Sequence, residues 1–175
     1  MTAIAVLDST GMDLVTYVAR APGRGGTATG RGFRTAPGGK GAARAVAAAR
    51  SGDDVVMTGA VGTGAYGLLL RTSPEHAGAD TELPPAVAGS GGAARIVGGD
   101  EGSDATVVVP GTDGAVTTLG PGGEAAVAAA DLLPLQPEFP MAAVTEAVAW
   151  ASAALRVRRP GAPAPMPCRG ETDAA

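Results

Sequence analysis

The segment Pro37-Gly38-Gly39-Lys40-Gly41-Ala42 leaves the backbone few options. Its glycines favour a tight turn, and Ala42 to Arg50 is rich in strong helix formers. The turn therefore opens directly into a helix. Glycine lets a ligand approach the backbone closely. The new helix aims unpaired N–H groups and the positive end of its dipole at that ligand. A polar or anionic small molecule is the natural guest. Lys40 is the only lysine, since the other basic residues are all arginine. The competing reading is a strand-to-helix turn with a solvated lysine. The segment is not a Walker A loop, because Arg34 stands where that loop needs glycine and Gly41 where it needs Ser or Thr.

The 175 residues suffice for one domain with a core. Hydrophobic residues make up 45% and charged residues 17%, a globular balance. Aromatics are only 3%, so the core must come from Ala, Val and Leu, with helices lying close on a sheet. The net charge is -4 and no basic block precedes the tail, which argues against a nucleic-acid partner. Cys168 is the single cysteine and cannot form an internal disulfide, as suits a reducing compartment. The start, Met1 to Asp8, lacks the basic and apolar regions of a signal peptide. No run approaches a membrane span. A cytoplasmic protein with no membrane partner is expected.

Apolar runs at Ala3 to Leu7, Leu14 to Val18 and Val55 to Val61 read as strands. Gly25 to Phe33 reads as a crossing ribbon. Helices are expected at 42–50, with Gly52 as the stop, and at 64–71, stopped by Pro74. Ala94 to Val97 and Ala105 to Val109 flank a hairpin turn. A helix at 124–130, a strand at 132–136 and a helix from Pro140 to about Ala154 follow. The alternation argues an α/β fold around a mostly parallel sheet, with one antiparallel hairpin. From Arg156 the texture turns Arg- and Pro-rich, so 1–155 reads as the folded portion and 156–175 as a disordered tail.

Gly62-Thr63-Gly64-Ala65-Tyr66-Gly67 matches G-x-G-x-x-G after a strand, and Asp80 lies where a ribose-binding acid belongs. A dinucleotide site is thus one alternative, but Pro74 cuts the helix short and no second strand of a βαβ unit is evident. His76 is the only histidine and Cys168 lies in the tail, so no zinc set and no Ser-His-Asp or Cys-His arrangement can be drawn. Asp13 and Glu138 each follow an expected strand end, where α/β sheets bind ligands. A carboxylate there can accept from two hydroxyls, as a sugar offers. The alternative for each is a solvated loop acid or helix cap.

Read in order, Ser9-Thr10-Gly11-Met12-Asp13, Gly38-Gly39-Lys40-Gly41-Ala42, Ala45 to Gly52, Ala79-Asp80-Thr81, Val107 to Gly111 and Leu135 to Pro140 resemble the ribokinase group of the PfkB carbohydrate kinases. The resemblance spans about residues 3 to 154. It implies a ribokinase-like α/β fold with a partial central sheet flanked by helices and a small β lid, the family's C-terminal half being absent. It implies ATP-dependent phosphorylation of a sugar hydroxyl, with ATP and Mg2+ as cofactors. It places Asp13, Gly39, Lys40 and Glu138 around a small-molecule sugar. Gly25 to Arg34 would belong to the lid, through which ribokinases also form a homodimer. Gly62 to Gly67 becomes the family's strand-to-helix turn, although the family usually has an acid where Thr63 or Gly64 stands.

The chain departs from that pattern at two sugar contacts. Gly11 and Ala43 stand where ribokinases carry asparagine. A lost hydrogen bond costs roughly 0.5 to 1.5 kcal/mol, so two should weaken sugar binding by about one to two orders of magnitude. The family's nucleotide site and the Gly-Ala-Gly-Asp segment with its catalytic base lie further along than this chain's match extends. Ala77-Gly78-Ala79-Asp80 is superficially similar to that segment, but lacks its first glycine and fits the family's Asp-Thr connector better. The expectation is a sugar-binding portion with no kinase activity alone, or a non-catalytic sugar-binding or dimerisation module. The abrupt texture after Leu155 is what an out-of-frame ending of a longer kinase gene would give. Part of a parallel sheet would leave an open edge, so marginal stability and self-association are expected.

Overall fold

Strand β1 (Ala3–Leu7) is buried on both faces, and its side chains alternate between two helical layers. Ile4 and Val6, with Val55 and Met57 of the parallel strand β4 (Asp54–Thr58), pack on Ala42 and Ala45 of helix α1 (Lys40–Arg50). Ala5 and Leu7 face the other way, onto Val127 of α3 (Gly120–Ala129) and onto Phe139, Ala143, Val144 and Ala147. The last three lie on α4 (Met141–Arg158). Alanine at the contact positions lets each helix lie close on the sheet, as the shortage of aromatics requires. Phe139 is the large exception and is fully buried. Burying a side chain such as Leu7 contributes about 1.5–3 kcal/mol.

This arrangement comes from a computed structural model that describes residues 1–81, 86–136 and 138–158. Above the α/β base stands a four-stranded sheet, whose strands lie in the order Gly30–Gly38, Gly11–Val18, Gly92–Gly99, Asp104–Val109. Its members are β2 (Gly11–Val18), β3 (Gly30–Gly38), β7 (Gly92–Gly99) and β8 (Asp104–Val109). β2 runs antiparallel to β3 and parallel to β7, and β7 and β8 form the expected hairpin. A short parallel pair, β5 (Val61–Gly62) and β6 (Ala86–Val87), lies near helix α2 (Gly67–His76). The fold is α/β, with mixed sheets flanked by helices.

Several local expectations change. The β lid is larger than expected: it is the most extensive sheet among the described residues, and its first edge strand begins at Gly30 rather than Gly25. The expected strand at 132–136 runs beside β1 but makes only one bridge, Ile4 to Leu132. Pro134 has no N–H to extend the ladder, although its carbonyl accepts from Leu7. The expected strand 55–61 breaks at Gly59 into β4 and β5. Pro74 does not stop α2, which continues to His76. Its ring is buried, and its carbonyl accepts from Ala77 and Ala79. Asp80 then bridges to Val56 in parallel, so the segment after α2 does return to the sheet. Helix α4 runs to Arg158, past the expected start of a tail at Arg156, and residues 159–175 of that tail lie outside the described residues.

Candidate functional site

A cleft of about 800 Å3 opens between the base and the four-stranded sheet. Its walls include Ser9 to Gly11, Asp13, Gly38 to Lys40, Ala43, Asp113 and Glu138. A smaller cavity of about 330 Å3, beside Thr58 and the start of α3, contains none of the residues singled out from the sequence. The large cleft lies past the carboxyl end of β1, where ligand crevices of α/β sheets occur.

The glycine turn has a specific cause. Gly39 caps α1 with φ at 95°, a conformation L side chains rarely adopt, and a Cβ there would lie 2.6 Å from the Ser9 carbonyl oxygen. At Gly38 a Cβ would collide with the Asp13 carboxylate. The turn is therefore glycine-rich because Asp13 and the loop after β1 press against it. Asp13 itself lies within β2, opposite Ala36, rather than past a strand end. Burial pushes its carboxyl up from the ordinary value of 3.8, and the Arg34 charge pulls the other way.

Lys40 is the first residue of α1, and its Nζ donates to Oε1 of Glu138. The two are far apart in sequence and both half-exposed, so they meet at the cleft rather than in the core. Glu138 is held by its neighbours. Phe139 anchors it in the core beneath α4, and Gln136, itself buried, donates from Nε2 to Ser9 Oγ at 3.2 Å. Gly11 and Ala43 line the same cleft and offer no polar side chain. Asp13, Gly39, Lys40 and Glu138 are thus brought together with Gly11 and Ala43. Pro137, between Gln136 and Glu138, lies outside the described residues.

Sequence reasoning missed two polar groups here. Asp8 is fully buried and receives Arg44 Nη1 at 2.6 Å and the Ser9 amide at 2.6 Å. Burial pushes its carboxyl up, while the Ser9 amide and the Arg44 charge hold it down. An acid placed directly after an apolar strand was the available signal. Asp113 lies in the 3-10 turn Gly111–Ala115 after β8, is 3% exposed, and accepts the Thr10 amide at 3.1 Å through Oδ2. Only its place after the Val-Val-Val-Pro-Gly run could have marked it.

The loop Gly62 to Gly67 gives no support to a dinucleotide. Its glycines are approached by the chain itself: a Cβ at Gly62 would lie 2.6 Å from the Gly89 carbonyl oxygen, and one at Gly64 would lie 3.2 Å from Ser90 Cα. Among the described residues no group of three or more His, Cys, Asp or Glu could hold a metal ion, and no helix is long and apolar enough to cross a membrane.

Residues 1–154 match the family described as pfkB family carbohydrate kinase. The chain is 41% identical over 118 residues to the ribokinase of Bacillus subtilis (strain 168), a match covering 67% of this chain and 40% of that protein. It therefore spans about two-fifths of the length of that curated relative. In three dimensions it is similar to the Arabidopsis thaliana ribokinase complexed with ribose and ATP, with a TM-score of 0.78 at 22% identity over 87% of this chain and 51% of that one. It is also similar to the Cryptococcus neoformans ribokinase in complex with ADP, with a TM-score of 0.71 at 25% identity over 87% and 47%. The glycine turn, the collinear motifs and this match agree, and the chain belongs to the pfkB family of carbohydrate kinases.

Proposed function

We propose that the cleft binds a ribose-like sugar, with Asp13 and Glu138 accepting from its hydroxyls and Lys40 and the Gly39 backbone completing the contacts. The observation that carries this reading is the convergence of three distant segments on one cleft, bringing Asp13, the Gly39–Lys40 turn and Glu138 together. A sugar offers neighbouring hydroxyls that donate to carboxylates and accept from an ammonium. The N-terminus of α1 favours any partial negative charge placed against it. The structures of a ribokinase with ribose and ATP and of another with ADP support a sugar and a nucleotide as the family's ligands.

Phosphoryl transfer from ATP with Mg2+ is the reaction this family membership suggests. It depends on positioning nucleotide, metal and nucleophile together. Among the described residues no group of three or more His, Cys, Asp or Glu could hold a metal ion, and in this reading the glycine turn serves the sugar. The proposed role of these 175 residues by themselves is sugar binding without turnover.

A dimerisation role is the second reading. It is favoured by the exposed Phe33, Val107 and Val108 on the edge strands of the four-stranded sheet. Calorimetric titration with D-ribose, alongside an ADP-release assay, tests the main reading. Millimolar or tighter binding without ADP release is expected. Absence of ribose binding by the folded chain would remove the sugar reading, and sustained ADP release would remove the inactivity.

A further inference from the structure

The four-stranded sheet joins the base at a narrow neck. Ser9 and Thr10 lead from β1 into β2, Gly39 leads from β3 into α1, Gly91 leads into β7, and Pro110 leads out of β8. These crossings touch backbone to backbone. A Cβ at Gly92 would lie 2.6 Å from the Thr10 carbonyl oxygen, 3.2 Å from that of Pro110 and 3.3 Å from Asp113 Oδ2. Asp113 is the acid inserted at this neck. Its Oδ2 accepts the Thr10 amide at 3.1 Å, and Thr10 Oγ1 donates to the Ala60 carbonyl at 3.4 Å. The carboxylate thus links the exit of the hairpin to the loop after β1, and the Thr10 hydroxyl links that loop to the loop after β4. Asp113 Oδ1 is buried and has no hydrogen-bond partner among the described residues.

We propose that Asp113 is a positioning residue of the cleft, which fixes the Ser9–Gly11 loop through the Thr10 amide and so sets where Gly11 and Asp13 stand against the ligand. The inference rests on the sugar-cleft reading for its functional consequence, but the tie to Thr10 can be tested without a sugar. The link spans 103 residues of sequence, and Gly11 and Asp13 follow Thr10 directly into β2. A shift of the Thr10 amide therefore moves the start of the strand that carries Asp13. Asp113 does not itself need to touch the ligand.

The tie is sensitive to protonation. Burial pushes the Asp113 carboxyl up to about 7; the Thr10 and Ala60 amides hold it down, and the charge of Asp8 on the neighbouring loop adds a smaller push upward. Arg44 partly offsets Asp8, while Asp13, Lys40 and Glu138 are the other charged groups on the cleft walls. Ionised Asp113 holds the amide by a charge-assisted bond, and the neutral acid holds it more weakly. The loop is thus held more firmly as pH rises through about 7.

The test is an amide NMR titration of the full chain between about pH 6 and 8.5, with and without D-ribose, a range set around the raised carboxyl. The Thr10 amide should shift with a midpoint near 7, and the shift should vanish in Asp113→Asn. Ribose affinity should rise about fivefold across the same range in the wild type and stay flat in Asp113→Asn. A Thr10 amide that does not move in the wild type overturns the proposal, whether or not the variant folds. A wild-type affinity profile retained in Asp113→Asn overturns it as well. Titration of Thr10 without any ribose binding supports the tie and overturns the sugar reading instead.

Discussion

The base and the four-stranded sheet are built from the same residue types but are held by different forces. In the base, β1 is buried along almost its whole length and both faces meet helices. In the sheet above, every residue of β8 is exposed, and β3 is exposed over most of its length. Side-chain burial stabilises the base throughout, whereas in the upper sheet it is confined to β2, where Met12 packs with Val61 and Leu70, and backbone ladders hold the edge strands. Few buried apolar contacts mark a region as the low-stability end of a fold. The cleft lies between the two, so its floor is rigid and its roof depends on the neck.

The largest expected effect is at that neck, where the two regions are joined. Asp113 has a folded-state value of about 7 against an ordinary 3.8. The folded state therefore holds a proton that the unfolded chain has released. Its contribution to stability is greatest below about pH 4 and falls as pH rises to about 7, because the cost of burying the charge outweighs the firmer bond to the Thr10 amide. The total is about 4 kcal/mol. Urea unfolding of the wild type and Asp113→Asn from about pH 4 to 8 should show this as a pH-dependent difference between them. A constant difference would mean that the neck carries no buried titration. The comparison between base and roof is then sharpened by Leu7→Ala, which should cost about 2–5 kcal/mol, against Val108→Ala, which should stay within about 0.5 kcal/mol. Equal losses would break the distinction.

Smaller effects belong to the cleft itself. Lys40→Ala should change stability by less than about 1 kcal/mol, because its pair with Glu138 is half-exposed. It should weaken ribose binding about tenfold, measured by calorimetry. Ala43→Asn should instead strengthen ribose binding severalfold, by restoring an amide at about 0.5–1.5 kcal/mol. At Gly11 the same change is less favourable, since a Cβ would lie 3.3 Å from the Gly92 backbone.

The base was legible in the sequence because its signals are local. The apolar run Ala3 to Leu7 and the alanine helix after Gly39 need no distant partner to be recognised. The glycine turn was legible as a strand-to-helix turn, although its cause was not. Gly38 and Gly39 are required by Asp13 and Ser9, which reach them only through strand pairing. Glu138 was found from its motif, while the buried Gln136 and Phe139 that fix it depend on packing across the core. Asp113 was invisible because its partner Thr10 is 103 residues away. The end of α2 was misjudged because burial of Pro74 outweighs its local tendency to stop a helix. The extent of the upper sheet was underestimated for a related reason: its edge strands carry no buried face, and so no apolar alternation to read.

The most direct test of the central claim is a map of amide shifts as D-ribose is added to the chain. Changes should concentrate at Gly11, Asp13, Gly39, Lys40 and Glu138, with the Gly62 to Gly67 loop unmoved. Shifts centred on Gly62 to Gly67, or no shifts at all in the folded protein, would contradict the assignment of this cleft to a sugar.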